Sequence, residues 1–462
     1  MLMKKPNILN QISVFLGKIA ELCKNPEGKE RQGAMFTTAQ LISIAVFVIV
    51  MILVISEKIH RAVAALLGAV ALIVLGVIDW DTGIGHIDFN TIGVLLGMML
   101  FVSVVKESGL FEYAAIKAAK IAKGKPWAIM VAFMIITAVL SALLDNVTTV
   151  LLVGPMTLIV CDLLEINPVP YFMTEVFASN IGGTATLIGD PPNIMIGSSA
   201  GFSFADFIMV DTPCVIITMI VVIFCFKFAF GRNLNVSEEN RKKILDLDPN
   251  DYIRDRSLFK KSLVMIAVVV VLFMAHGVLH LESCIIALGV AGIMVVISKA
   301  DLEMCGFGIE WTTIGFFCGL FMVVGGMAET GVIAMMAEGI VAICGGNPLV
   351  MMLVILWASA IISAILDNIP FCATMIPVIL TIAEGGQIDV IPLWWALSLG
   401  ACLGGNGTLI GASANVVLCS IAGKNGHPIS FIQFTKYGFP VMILTLIVAT
   451  GYMFVRYGLA MM

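Results

Sequence analysis

Two acid–amide pairs, Asp145-Asn146 and Asp367-Asn368, interrupt long apolar stretches, and polar, glycine-rich segments at 180–193 and 403–415 interrupt two more. A charged side chain in mid-membrane costs roughly 2.5–3.5 kcal/mol on insertion scales, so an acid placed there needs a partner or a duty. Carboxylates, carboxamides and unwound carbonyls suit sodium, whereas helix N-termini with free N–H groups suit an anion. The cation-site candidates are therefore Asp145, Asn146, Gly183 and Thr184, with Asp367, Asn368, Gly405 and Asn406 as a second set. Thr148, Thr186, Asn193, Thr408, Ser413 and Asn415 are the candidates for touching a solute. Any one Asn or Thr of these reads first as a helix cap; the set together reads as a site. Asp190 stands apart, because the second segment has Ala412 in its place. A carboxylate without a counterpart can bind and release a proton; the rival reading is a cap for the helix restarted at Pro191-Pro192.

These clusters are copies of one another. Asn-Ile-Gly-Gly-Thr-Ala-Thr-Leu-Ile-Gly-Asp-Pro-Pro-Asn at 180–193 is matched by Leu-Gly-Gly-Asn-Gly-Thr-Leu-Ile-Gly-Ala-Ser-Ala-Asn at 403–415, at an offset of 222 positions. The same offset carries Asp145-Asn146 to Asp367-Asn368, Pro126 to Pro348, Pro155 to Pro377, Glu107 to Glu329 and Gly109 to Gly331. After Asn415 about five extra residues enter, and Pro213 then matches Pro440. One spacing held over so many landmarks is an internal duplication. Glycine costs about 1 kcal/mol in a helix and an interior proline removes a ladder bond, so both copies predict a broken helix. Broken backbone at membrane depth is tolerated where protein buries it or it lines a watery cavity.

The elements that must hold these residues follow from composition. Sixty per cent of the residues are hydrophobic and 12% charged, which excludes a soluble globular protein. The expected fold is an all-α polytopic membrane protein of two inverted five-crossing repeats, each with a re-entrant hairpin and a broken helix. The first repeat covers 36–232 (hairpin 126–164, broken helix 170–198) and the second 260–457 (hairpin 348–384, broken helix 391–422). A tail at 1–35, in which 7–23 could form an amphipathic helix, a basic linker at 233–259 and a short tail at 458–462 complete the chain. The hairpins have a second reading, as two full spans each. With hairpins that do not cross, each half crosses five times, and an odd number inverts the second half. Charge supports this: the segment at 110–123 carries Lys117, Lys120 and Lys123, while its copy at 332–344 carries no Lys or Arg. The positive-inside rule puts the first, and the linker with it, on the cytoplasmic side of the plasma (inner) membrane.

Other chemistries find no support in the sequence. His276 and His280 stand four apart at the outer end of a span, and read as interfacial packing before a metal site. Eleven cysteines contain no Cys-x-x-Cys pair and predict neither a disulfide framework nor a transition-metal site. No phosphate-binding Gly-x-x-x-x-Gly-Lys and no hydrolase motif is present, so neither ATP-driven pumping nor catalysis is expected. Glu107 and Glu329 read as loop and cap residues.

At 180–193 and 400–415 the chain resembles the ion-transporter superfamily of sodium-coupled dicarboxylate (citrate-type) carriers, arsenite permeases and a class of sodium/proton antiporters. The likeness extends over about 36–457 and is nearest to the P protein (pink-eyed dilution) branch. The resemblance implies two re-entrant hairpins, two broken helices, and a homodimer of scaffold and moving transport domains. In the dicarboxylate carriers the hairpin tips carry Ser-Asn-Thr and help bind sodium. Here they read Asp145-Asn146-Val147 and Asp367-Asn368-Ile369, two acids in place of hydroxyls, which favours a cation or proton partner. The function expected is a secondary active transporter with no cofactor beyond Na+ or H+, an ion antiporter first. The alternatives are a sodium-coupled organic-anion symporter, an arsenite or oxyanion permease, and a passive anion channel. Partners are then a small ion or organic anion, membrane lipid and a second copy of the chain, with no nucleic acid.

Overall fold

The computed structural model describes residues 36–56, 58–231, 236–386 and 388–461; the helix expected within 7–23 lies outside them. Every regular element among the described residues is helical. The first half contains α1 (Thr38–Ser56), α2 (Arg61–Val74), α3 (Trp80–Gly85), α4 (Phe89–Lys106), α5 (Leu110–Ile121), α6 (Pro126–Leu143), α7 (Asn146–Leu164), α8 (Val169–Gly183), α9 (Pro191–Ala200) and α10 (Phe204–Ala229). After α11 (Glu238–Asp246) come α12 (Arg256–Leu279), α13 (Ser283–Ser298), α14 (Leu302–Gly306), α15 (Trp311–Glu329), α16 (Val332–Ile343), α17 (Pro348–Ser363), α18 (Asn368–Glu384), α19 (Ile391–Gly404), α20 (Ser413–Lys424) and α21 (Phe431–Arg456). From α2 to α9 every helix has a partner starting 222 positions on, with α8 and α19 beginning at Val169 and Ile391 just ahead of a proline in each. Among the described residues eight helices are long and apolar enough to cross a membrane, which makes the chain a multi-pass membrane protein.

Two compact units share the chain. The smaller contains the described residues up to Ile87 together with Gly315–Met336. Within it α1 packs on α2, and the Gln40 amide donates to the Thr330 carbonyl at 3.0 Å. The Ser43 hydroxyl donates to the Gly326 carbonyl at 3.2 Å, and His86 meets Glu329 at 3.0 Å. A Cβ on Gly319 would fall 2.6 Å from the Ala65 carbonyl carbon, so only glycine lets these backbones touch.

The larger unit spans Asp88–Ile314 and Ala337–Met462. Its contact between α4 and α13 repeats that arrangement: a Cβ on Gly97 would fall 2.5 Å from the Ala287 carbonyl carbon. Gly97 and Ala287 are the 222-offset mates of Gly319 and Ala65, so the duplication copied a packing contact along with the sequence. The hairpin helices α6 and α7 turn at Asp145, and α17 and α18 turn at Asp367. Each acid caps the helix it precedes: Asp145 accepts from the Thr148 N–H at 2.9 Å and Asp367 from the Ile369 N–H at 3.3 Å. The broken helix expected at 170–198 is α8 and α9, parted at 184–190; that expected at 391–422 is α19 and α20, parted at 405–412.

The basic linker, for which no helix was expected, contains α11. Ser237 caps α11 through the Asn240 N–H at 3.1 Å, with Glu238 and Glu239 in its first turn and Lys243 in its last, which suits the helix dipole. It is anchored to the first half. The Asn240 amide donates to the Leu164 carbonyl at 3.3 Å, and Arg254 pairs with Glu112 at 2.8 Å. Glu165 is held below the usual carboxylate range by the Asn240 side chain and then by Lys243. Gly109, at φ 80°, lies so close to the Tyr252 carbonyl that no side chain fits.

Candidate functional site

At the first break, residues 184–189 leave their carbonyls without helical donors, and the ladder resumes at the Asp190 carbonyl. Asn193, one turn into α9, supplies the donor: its Nδ2 reaches the carbonyls of Gly183 at 3.4 Å, Thr184 at 3.2 Å and Thr186 at 3.0 Å. Asn415 does the same in the second copy, reaching Gly405 at 2.8 Å and Thr408 at 2.9 Å. Helix restart is cheap at Pro191-Pro192, because a proline at the first helical position forfeits an N–H that has no partner anyway. Thr186 and Thr408 fasten each break to the neighbouring hairpin by donating to the Ala142 and Ala364 carbonyls. Replacing both threonines with valine should cost about 1–3 kcal/mol per site, the usual penalty of a buried carbonyl left bare. Thermal unfolding of the purified protein in detergent checks this, with a lowered midpoint expected.

The two breaks meet each other. Asn180 Nδ2 donates to Asn415 Oδ1 at 2.9 Å and to Asn406 Oδ1 at 3.0 Å. The Cys402 thiol donates to Asn193 Oδ1 at 3.5 Å. Residues 180 and 402 are mates across the duplication, as are 193 and 415, so the contact is made once in each direction. The helices follow suit, α9 packing on α18 and α20 on α7. Such reciprocity is what a two-fold relation between pieces produces.

The reciprocity fails at one place. Asn368, at the tip of the second hairpin, donates to both Asp190 oxygens at 3.1 Å. The mirrored positions are Asn146 and Ala412, and alanine offers no acceptor. Asn146 is only 4% exposed, and its carboxamide bonds no described residue. Asp190 precedes α9 as a cap would, yet its side chain accepts nothing from that helix. Its partner lies across the repeat.

The remaining candidates divide by what already holds them. The Thr148 hydroxyl donates to Asp145, and Ser413 donates to Asp367 at 2.8 Å. The Thr184 hydroxyl is turned back on the Asn180 carbonyl at 2.8 Å. Gly183 lets the break close on itself: a Cβ there would fall 2.6 Å from the Gly189 carbonyl oxygen. Gly405 contributes its carbonyl to Asn415. Where Asn180 meets Asn406, two buried atoms of opposite kind have no partner among the described residues, the acceptor Asn180 Oδ1 and the donor Asn406 Nδ2. Asn193, Asp190, Asn368, Asn406 and Asn415 thus come together, while Asp145 with Thr148 and Asp367 with Ser413 form pairs at the two tips.

The sequence reading passed over Asn180, Ser398, Glu175 and Asp211. All are buried, and Glu175 and Asp211 make no ion pair among the described residues. The signal was present, since an acid inside an apolar helix merits the scrutiny given to Asp190. Among the described residues no three His, Cys, Asp or Glu side chains converge as for a metal ion.

The chain is similar to known proteins. A family model described as "Citrate transporter" matches residues 51–400. The "Uncharacterized transporter Rv2684" of Mycobacterium tuberculosis is 44% identical over 426 residues, covering 90% of this chain and 98% of that one. The P protein of Homo sapiens is 32% identical over 507 residues, covering 91% of this chain and 60% of that one. The crystal structure of the Alcanivorax borkumensis YdaH transporter, reported to have an unusual topology, superposes with a TM-score of 0.61 at 14% identity. That match covers 91% of this chain and 98% of that one and is a likeness of fold alone.

Proposed function

We propose a coupled ion-transport mechanism for this chain, which belongs to the citrate transporter family and is a multi-pass membrane transporter, not an enzyme. In this reading it is a secondary active transporter driven by sodium or protons, working by alternating access with elevator motion, and an ion antiporter before a symporter. One observation carries the reading: Asp190, wholly buried, sits where the first break meets the second hairpin tip and has the Asn368 amide, and no basic side chain among the described residues, for its partner. A carboxylate so placed gains most from a transported cation or proton.

The reciprocal contacts support two repeats related by a two-fold axis. Five crossings per half would lay that axis in the membrane plane, with both hairpins re-entrant and the linker cytoplasmic. The chain would then reside in the plasma (inner) membrane as a homodimer. Organic-anion symport is the second reading. It is favoured by the unpartnered Asn406 Nδ2, a buried donor suited to a carboxylate oxygen, and by the family's citrate-transporting description.

Purified protein in liposomes loaded with a pH-sensitive dye should move protons when a sodium or citrate gradient is imposed, and should drive its solute uphill. Flux only down the solute's own gradient would make it a channel. Silent vesicles across a panel of ions and carboxylates would end the coupled reading.

A further inference from the structure

Asp211 lies in the second turn of α10, fully buried, and its Oδ1 has no partner. Its other oxygen lies 2.6 Å from the Ser398 hydroxyl, and that hydroxyl also lies 2.7 Å from Asn193 Oδ1. Asn193 is oriented beyond doubt about which atom faces Ser398, because its nitrogen is committed to the three carbonyls of the break. Asn193 Oδ1 is therefore an acceptor, and Ser398 has a single proton for two acceptors. With Asp211 protonated, the chain closes: the acid donates to Ser398, and Ser398 donates to Asn193. With Asp211 charged, Ser398 turns its proton to the carboxylate, and Asn193 Oδ1 keeps only the Cys402 thiol at 3.5 Å.

The duplication shows that this chain is an addition to the scaffold. The mates of Asp211 and Ser398 are Gly438 and Val176, neither able to hydrogen-bond through a side chain. At Gly438 the Asn406 carbonyl occupies the space a side chain would need.

The groups facing Asp211 supply no counter-charge in contact with it. Its own helix offers Cys214, and α19 offers Ser398 and Cys402. From α21, Tyr452 donates to the Val210 carbonyl at 2.6 Å and accepts from the exposed Arg456 at 3.2 Å. From α12, His276 accepts the Phe204 N–H at 3.0 Å, and on α8 Glu175 accepts from Thr157.

We propose that Asp211 is a second proton-binding residue of the transport core, and that its proton decides, through Ser398, whether Asn193 is held by a hydroxyl at the first break. This deepens the proton-coupled reading above and rests on it for transport, though not for the spectroscopic test.

Infrared difference spectra of the full chain in lipid, taken across a pH titration, test it. A carboxylic-acid band lost in Asp211→Asn and kept in Asp190→Asn is expected. Ser398→Ala should keep that band and shift its frequency, and should also move the pH midpoint of transport. An Asp211→Asn spectrum identical to the unmodified protein's overturns the proposal. If that variant does not fold, an unshifted band in Ser398→Ala overturns it equally. A transport profile made pH-independent by neither aspartate variant would sink the coupled reading while leaving the Asp211 band to stand.

Discussion

Asp190→Asn should flatten the pH dependence of transport and lower the rate at least tenfold, while the purified protein still folds. Asparagine fills the same volume and keeps one acceptor for Asn368, which now donates to both Asp190 oxygens at 3.1 Å. What disappears is the charge. If a cation or proton must neutralise that carboxylate before the core moves, the variant loses the bound species and the energy it brings; tenfold corresponds to about 1.4 kcal/mol. Asn368→Ala is the complementary test, because it leaves the carboxylate buried without its donors at a cost of about 1.5–3 kcal/mol. Both are measured as initial rates in dye-loaded liposomes at several pH values. An unchanged profile in Asp190→Asn would return that residue to a structural duty.

The duplication is what made the site legible. It identified Asp145-Asn146, Asp367-Asn368 and both glycine-rich breaks because each occurs twice, and helix ends fall within a few residues of the expected ones, as where the broken helix expected at 170–198 runs as Val169–Gly183 and Pro191–Ala200. The duplication gives no pointer to Asp211, whose mate is a glycine and whose helix carries charge otherwise only near its ends, at Asp206 and Lys227. Asp190 escaped that fate by adjoining a duplicated motif. Partners were less legible than positions. Nothing local ties Asn180 to Asn415, 235 residues away, and the bond exists only because two breaks fold against each other. Thr186 and Thr408 looked like solute ligands because they are polar and lie in the breaks. That their hydroxyls reach hairpin carbonyls depends on packing that spacing does not reveal. The helix in the linker was readable from Ser237-Glu238-Glu239 and the lysines after it, but a cap and a favourable dipole are weak signals in so polar a stretch.

Gly182→Ala and Gly404→Ala should each destabilise the protein severely, and to similar extents. A Cβ on Gly404 would lie 2.5 Å from both the Cα and the carbonyl oxygen of Ala360, and one on Gly182 would intrude as deeply on Ala138. Both obstacles are backbone, which cannot rotate aside as a side chain tip can, so α8 must part from α6, or α19 from α17. Overpacking of this kind costs about 1–3 kcal/mol, and valine should cost more than alanine. The damage would not stay local: Gly182 lies two residues before the first break, and separating α8 from α6 pulls Thr186 from the Ala142 carbonyl. Gly292→Ala is the control, since nothing lies within 4 Å of its missing Cβ and alanine improves a helix interior by about 1 kcal/mol. Thermal unfolding in detergent should place the two joint variants well below the unmodified protein and the control at or slightly above it. Ala138 and Ala360 are themselves mates under the 222 offset, so the two variants probe one joint built twice. A loss at one glycine and none at the other would mean that the copies have ceased to pack alike, and the two-fold relation between the breaks would have to be abandoned.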